Sequence, residues 1–243
     1  MDSDDYIRDN SIEVLLENAE KFGVDIVNAD ILNDADKIKN SDFRKLSCDY
    51  KTVTTFEFLG DKLKTQTYDI VPFLYFVKKE YLKKLGLVFS EGYFYEDQLW
   101  TMQLLSGPGT IVKIRFPFYY YRMTRPGSTT NHIYLKKGTD AAFICNSMAE
   151  YICGFEKGNV KEDLKAILLL SVFQFFNVWL RLNRKDRKIA WKTLNKNTIE
   201  LAIQYSGSYK FLRDEVVKYY KYKGAEALKY DMKSFLRKVV KRR

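Results

Sequence analysis

Asp2-Ser3-Asp4-Asp5-Tyr6-Ile7 is the stretch on which the fold turns, and its counterpart is Glu96-Asp97 within Ser90-Glu91-Gly92-Tyr93-Phe94-Tyr95-Glu96-Asp97-Gln98-Leu99-Trp100. Asp2 and Asp4 are two positions apart. At the end of an extended segment their side chains leave the same face and can share one hard cation. Such a cation typically bridges phosphate oxygens.

Outward from these two sites the chain alternates helical and extended signals. Asn10-Ser11-Ile12-Glu13 reads as a capping box that starts a helix. Ile12, Leu15, Leu16, Ala19 and Phe22 follow at helical spacing, and Gly23 ends it. Val24 to Ala29 reads as a short buried strand. Two β-prone pieces, Thr52 to Leu59 and Leu63 to Tyr68, joined through Gly60-Asp61, predict a surface hairpin. Val71 to Val77 is an apolar run interrupted by Pro72, followed by a basic helix over Lys78 to Leu85. Glu96-Asp97 opens a helix to about Leu105, ended by Gly107-Pro108-Gly109. Thr110 to Phe116 and Phe118 to Arg122 read as two strands that Pro117 breaks apart. Four or five helices fill the remainder, with turn signals near Gly158, Asn183, Gly207 and Gly224.

Composition bounds the class. With 243 residues, 46% of them hydrophobic, the chain builds real cores and is not globally disordered. Cys48, Cys145 and Cys153 lack ligand-like spacing and read as reduced cytosolic thiols. The acidic start has neither the basic region nor the apolar stretch of a signal peptide. Ala166 to Leu180, the most apolar run, is shorter than the roughly 20 residues that span a bilayer and reads as a buried core helix. Charge is polarised: residues 1–50 hold 6 Lys and Arg against 13 Asp and Glu, a net of −7. Residues 157–243 hold 22 against 8, a net of +14. The acidic end attracts cations and the basic end polyanions.

The ordered set resembles the family 2 glycosyltransferases of the GT-A fold. It comprises Asp2-Ser3-Asp4-Asp5-Tyr6-Ile7, the helix and strand from Ser11 to Ala29, Val71-Pro72-Phe73-Leu74-Tyr75-Phe76-Val77-Lys78-Lys79-Glu80-Tyr81-Leu82, Glu96-Asp97-Gln98, and Tyr119-Tyr120-Tyr121-Arg122 with Ser128-Thr129-Thr130. The match spans roughly the first half of the chain. In that family the Asp-x-Asp lies in mid-domain, after Rossmann-like units that hold the nucleotide; here it begins at residue 2. Two or three βα units, about 60 to 90 residues, are therefore expected to be missing.

The resemblance implies an α/β chain with a partial GT-A sheet that lacks its first βα units, followed by a C-terminal helical region. The boundary is expected between 1–135, the metal and acceptor half, and 136–243, which is basic. It implies an inverting, metal-dependent enzyme that moves a sugar from a nucleotide-sugar donor to a glycan or lipid-linked acceptor in surface polysaccharide biosynthesis, in the cytoplasm. Asp4 is then the direct ligand of Mn²⁺ or Mg²⁺, Asp2 a ribose or outer-sphere partner, and Asp5 belongs to the same acidic set. Asp97 is the base that takes the acceptor proton, and Glu96 positions it. A neighbouring carboxylate raises the proton affinity of Asp97 and a helix N-terminus lowers it, and the sequence leaves that contest open. Arg122, Arg125 and Ser128 are expected on a loop closing over the diphosphate, and His132, the only histidine, is a third candidate ligand.

Plainer readings accompany each motif: a frayed acidic start, two acids favouring a helix dipole, a structural ion pair for Arg122 and an incidental histidine. Competing classes are an inactive fragment, a basic module for nucleic acid or anionic membrane, and an Asp-x-Asp phosphatase. The phosphatase needs an apolar strand ahead of its first Asp; that strand is equally missing for the transferase, so only the downstream matches separate the two. Nucleic acid is disfavoured because it needs Lys, Arg and aromatics gathered on one face without a carboxylate cleft. Gly224 to Arg243 forms a basic amphipathic pattern suited either to an anionic membrane surface or to packing on the protein itself.

Overall fold

The computed structural model describes residues 5–32, 51–121, 132–156 and 158–221. The chain divides into two compact units, Met1–Gly92 with Glu96–His132, and Tyr93–Tyr95 with Ile133–Arg243.

The first unit is built on a five-stranded sheet. Its elements are β1 (Tyr6–Ile7), α1 (Ser11–Phe22), β2 (Ile26–Leu32), β3 (Val53–Thr54), α2 (Thr55–Lys64), a 3₁₀ turn (Pro72–Leu74), β4 (Tyr75–Val77), α3 (Lys79–Leu85), α4 (Glu96–Ser106) and β5 (Thr110–Tyr120). The strand order is β1-β5-β2-β4, and β3 also pairs with β5. β2 and β5 run parallel, while the short strands β1, β3 and β4 pair antiparallel. Parallel strands need cover on both faces, so β2 and β5 carry apolar residues on both: Ile26, Val27, Ala29, Ile111, Val112 and Ile114 are all buried. Leu15 of α1 joins this core.

Three sequence expectations change here. The hairpin over residues 52–68 is instead the helix α2. Thr54 accepts a hydrogen bond from the Glu57 N–H through its hydroxyl (3.2 Å), and its own N–H donates to Glu57 Oε2 (2.9 Å), a complete capping box. Phe58, Leu59 and Leu63 are then buried, and that gain outweighs the β preference of the local residues.

The capping box expected at Asn10–Glu13 does not form. Asn10 adopts a left-handed backbone (φ 60°) rather than the extended one an N-cap uses and makes no side-chain cap bond, and the Ser11 hydroxyl donates to the Arg8 carbonyl.

Pro117 does not split a strand either: β5 runs unbroken over 11 residues. The ladder to β2 jumps from Asn28↔Lys113 to Asp30↔Pro117, so the proline falls where register shifts and the missing N–H leaves no ladder bond broken.

Gly107 and Gly109 do end α4, and they do so under a tyrosine. A Cβ on Gly109 would lie 2.6 Å from the Tyr81 ring, and the Tyr81 hydroxyl donates to the Leu104 carbonyl at 3.2 Å.

The second unit is helical among its described residues: α5 (Leu135–Cys153), α6 (Asn159–Arg181), α7 (Arg184–Thr193), α8 (Lys196–Ile203) and α9 (Lys210–Lys221). α6 contains the apolar run and is long and apolar enough to cross a membrane by length and composition. Its Leu164, Ala166 to Leu169, Val172, Phe175 and Phe176 are wholly buried, as a core helix requires. The turn signals at Gly158, Asn183 and Gly207 fall between helices, and Asn183 caps α7 by accepting from the Asp186 N–H at 3.0 Å. Tyr93 stacks on Phe143 at 4.1 Å, and the buried Asp140 carboxylate accepts from the Phe94 N–H (3.0 Å) and from Lys136 Nζ (2.6 Å). The basic segment from Gly224 onward lies outside the described residues.

Candidate active site

The Glu96-Asp97 element stands where the sequence places it, in the first turn of α4. Tyr95, with left-handed backbone (φ 68°), turns the chain into that helix. Behind the acidic pair α4 is buried nearly all round, with Leu99, Trp100, Met102, Leu104 and Leu105 enclosed together with the polar Gln98 and Thr101, so the helix start is held by the core. Phe89 stacks on Trp100 at 4.8 Å and fixes the preceding loop against it.

The contest over Asp97 now has an outcome. Burial raises its pKa, the Glu96 carboxylate raises it further, and the Gln98 N–H, donating to Oδ1 at 2.9 Å, draws it back; the result is about 6. Desolvation and like charge outweigh the helix N-terminus. A carboxylate poised there is still mostly ionised at neutral pH and holds a proton better than an ordinary aspartate, as a general base requires.

The N-terminal acidic set is described only in part. Asp2 and Asp4 lie outside the described residues, as do Arg122, Arg125 and Ser128. Asp5 is buried and its Oδ2 accepts from the Tyr119 hydroxyl at 2.7 Å, so this carboxylate is engaged in fastening β1 to the end of β5. Phe73 stacks on Tyr119 at 4.0 Å, and Tyr6 lies against Tyr120 at 4.6 Å. His132 is exposed. Among the described residues no three His, Cys, Asp or Glu side chains gather closely enough to hold a metal ion, so these residues alone supply no donor set for Mn²⁺ or Mg²⁺.

One charged element escaped the sequence reading. Lys113 Nζ, on β5, donates to Asp30 Oδ1 at 2.8 Å and lies 3.4 Å from Asn28 Oδ1, both on β2. Asn28 is buried and also donates to the Leu74 carbonyl at 3.3 Å. The available signal was a polar residue inside an apolar parallel strand, Asn28 between Val27 and Ala29.

No family model matches the chain, and no curated protein matches it. Solved structures do. S. aureus TarS 1–349 superposes with a TM-score of 0.58 at 17% identity, covering 94% of this chain and 63% of that one. The same protein in complex with UDP-GlcNAc gives a TM-score of 0.58 at 16% identity, with 94% and 64% coverage. The fold is glycosyltransferase-like. At this identity the likeness is one of fold, and the chain spans somewhat under two thirds of the TarS structures it matches. The glycosyltransferase-like sheet is the frame in which Asp97 and the β1–β5 junction are held.

Proposed function

We propose that this chain is the acceptor-activating part of an inverting glycosyltransferase of family 2 and GT-A type. It moves a sugar from a nucleotide-sugar donor to a glycan or lipid-linked acceptor in surface polysaccharide biosynthesis, at the cytoplasmic side of a membrane. One observation carries the reading: a carboxylate with pKa near 6, Asp97, at the buried start of α4 in a glycosyltransferase-like fold. The TarS neighbour in complex with UDP-GlcNAc supports the choice of a nucleotide-sugar donor.

In this mechanism Asp97 accepts the proton of the acceptor hydroxyl while that oxygen forms its bond to the anomeric carbon. The bond from that carbon to the diphosphate oxygen breaks on the opposite side, its electron pair leaves with the nucleoside diphosphate, and the configuration inverts. Glu96 keeps the proton affinity of Asp97 high by like charge. A divalent cation, bound by Asp4 with Asp2 alongside, would stabilise the charge on the leaving diphosphate. Arg122, Arg125 and Ser128 would close over the same group. None of the proton chemistry at Asp97 depends on that cation.

The test is release of UDP from UDP-GlcNAc, with and without Mn²⁺, and transfer to a glycan acceptor. Hydrolysis is expected to vanish in Asp4→Ala, and transfer in Asp97→Asn. Undiminished activity in both variants overturns the site assignment.

A further inference from the structure

A groove of about 610 Å³ lies wholly within the helical unit, between the C-terminal half of α5 and α8. Its volume falls in the range of about 300–1,000 Å³ typical of small-ligand sites. From α5 it is lined by Asn146, Ala149, Glu150 and Cys153, a single stripe at i, i+3, i+4 and i+7. In this stripe Ala149 is buried and Asn146 closes against the neighbouring helices, while Glu150 and Cys153 stay exposed along the groove.

Asn146 builds the groove. Its Nδ2 donates to the Thr193 carbonyl at 2.8 Å, while its Oδ1 accepts from the Asn195 N–H at 3.0 Å and from the Thr198 hydroxyl at 2.9 Å. One amide thereby ties α5 to the junction of α7 and α8. Asn195, at the N-cap position, makes no side-chain cap bond. Its amide is exposed, as are the side chains of Asn197, Gln204 and Glu150, and none of the four side chains has a hydrogen bond among the described residues. Three primary amides and a carboxylate, each presenting adjacent donor or acceptor atoms, therefore face one rigid groove.

Charge selects among ligands. The unit's residues 157–243 carry a net of +14, yet the groove contains one lysine and two glutamates, and Lys196 is paired with Glu200 at 3.1 Å. A polyanion would find nothing there to neutralise it and would meet Glu150. Side-by-side amide and carboxylate groups suit vicinal hydroxyls, which both donate and accept.

We infer that this groove binds a segment of neutral glycan through Asn195, Asn197, Gln204 and Glu150. The inference goes beyond the transfer reaction and shares no residue with it, so either can fail alone.

Saturation-transfer NMR on the full chain, with maltotetraose and chitotetraose as neutral probes and a heparin octasaccharide as the polyanion, tests it. At least one neutral probe is expected to bind, with affinity falling tenfold or more in Asn197→Ala/Gln204→Ala. The bound probe is also expected to slow iodoacetamide alkylation of the exposed Cys153, read by peptide mass spectrometry. UDP-GlcNAc hydrolysis is expected to be unchanged in the same double variant. No transfer to either neutral probe, binding equal in the double variant, or no protection of Cys153 overturns the inference. Loss of hydrolysis in Asp97-intact protein carrying the double substitution overturns its independence from the catalytic reading.

Discussion

Tyr119 reaches across the sheet to donate its phenolic hydrogen to the buried Asp5 carboxylate at 2.7 Å, joining the last turns of β5 to the residue that precedes β1. β1 has only two residues and among the described residues pairs with β5, at Tyr6↔Tyr120 and Ile7↔Tyr119, so this bond adds to what holds the chain's described start in place. Tyr119→Phe leaves the stack with Phe73 but takes one hydrogen bond from a buried carboxylate. A loss of about 1–3 kcal/mol in urea denaturation is expected, with preserved far-UV circular dichroism.

Asp97 sets the pH dependence of the proposed transfer. The base acts ionised, and its pKa is about 6, so kcat/KM is expected to fall tenfold per unit as pH drops below about 6. Glu96→Gln removes a like charge that raises this pKa, and the acid limb moves to lower pH. A profile unmoved by Glu96→Gln contradicts the coupling. Asp97→Asn is expected to lower kcat by about 10²–10⁴.

Stability follows the opposite sense. The folded pKa of Asp97 lies above its usual value of 3.8, so the fold favours the protonated form. Its contribution is fully present below the unfolded pKa and is lost as pH rises through about 6. Asp97→Asn removes this cost, and the variant is expected to gain on the order of 1–2 kcal/mol at pH 7.5 while losing transfer. Thermal unfolding at pH 4 and 7.5 checks it: the gain should shrink at the lower pH.

Gly109 meets Tyr81 too closely for any side chain, since a Cβ would fall 2.6 Å from the ring. Gly109→Ala is expected to destabilise the first unit by about 1–3 kcal/mol, and Tyr81→Leu in the same chain to recover part of that loss. Additive effects in the double variant would contradict the clash.

Phe176, enclosed in α6, touches Phe175, Trp179, Trp191 and Tyr219. Phe176→Ala is expected to cost about 3–5 kcal/mol in denaturant unfolding, as for a core residue. A negligible effect would contradict its place in the core.

Where local chemistry and tertiary contacts agreed, the sequence was legible. α4 begins at Glu96 as read, because acids in a first turn and a dense apolar tail point the same way. α3, β2 and the buried character of α6 followed from apolar runs closed by Gly or charge. Residues 52–68 were misread because Thr, Val and Phe favour strands locally, and the burial of Phe58, Leu59 and Leu63 that makes them a helix depends on residues distant in sequence. The Asn10 and Thr54 starts show the same limit: both carry the capping letters, and the backbone angle decided which one used them.

By itself, the order of residues determined the acidic pair at Glu96-Asp97, the helix it opens, the charge polarity of the chain and the run of helices after residue 134, because each rests on neighbours within a few positions. Only the tertiary structure decided that Pro117 sits inside a continuous strand, that Asp5 is held by Tyr119, and that Asp97 is raised to about 6. Those outcomes depend on desolvation and on partners brought together by the sheet, and neither quantity is a property of a local stretch of chain.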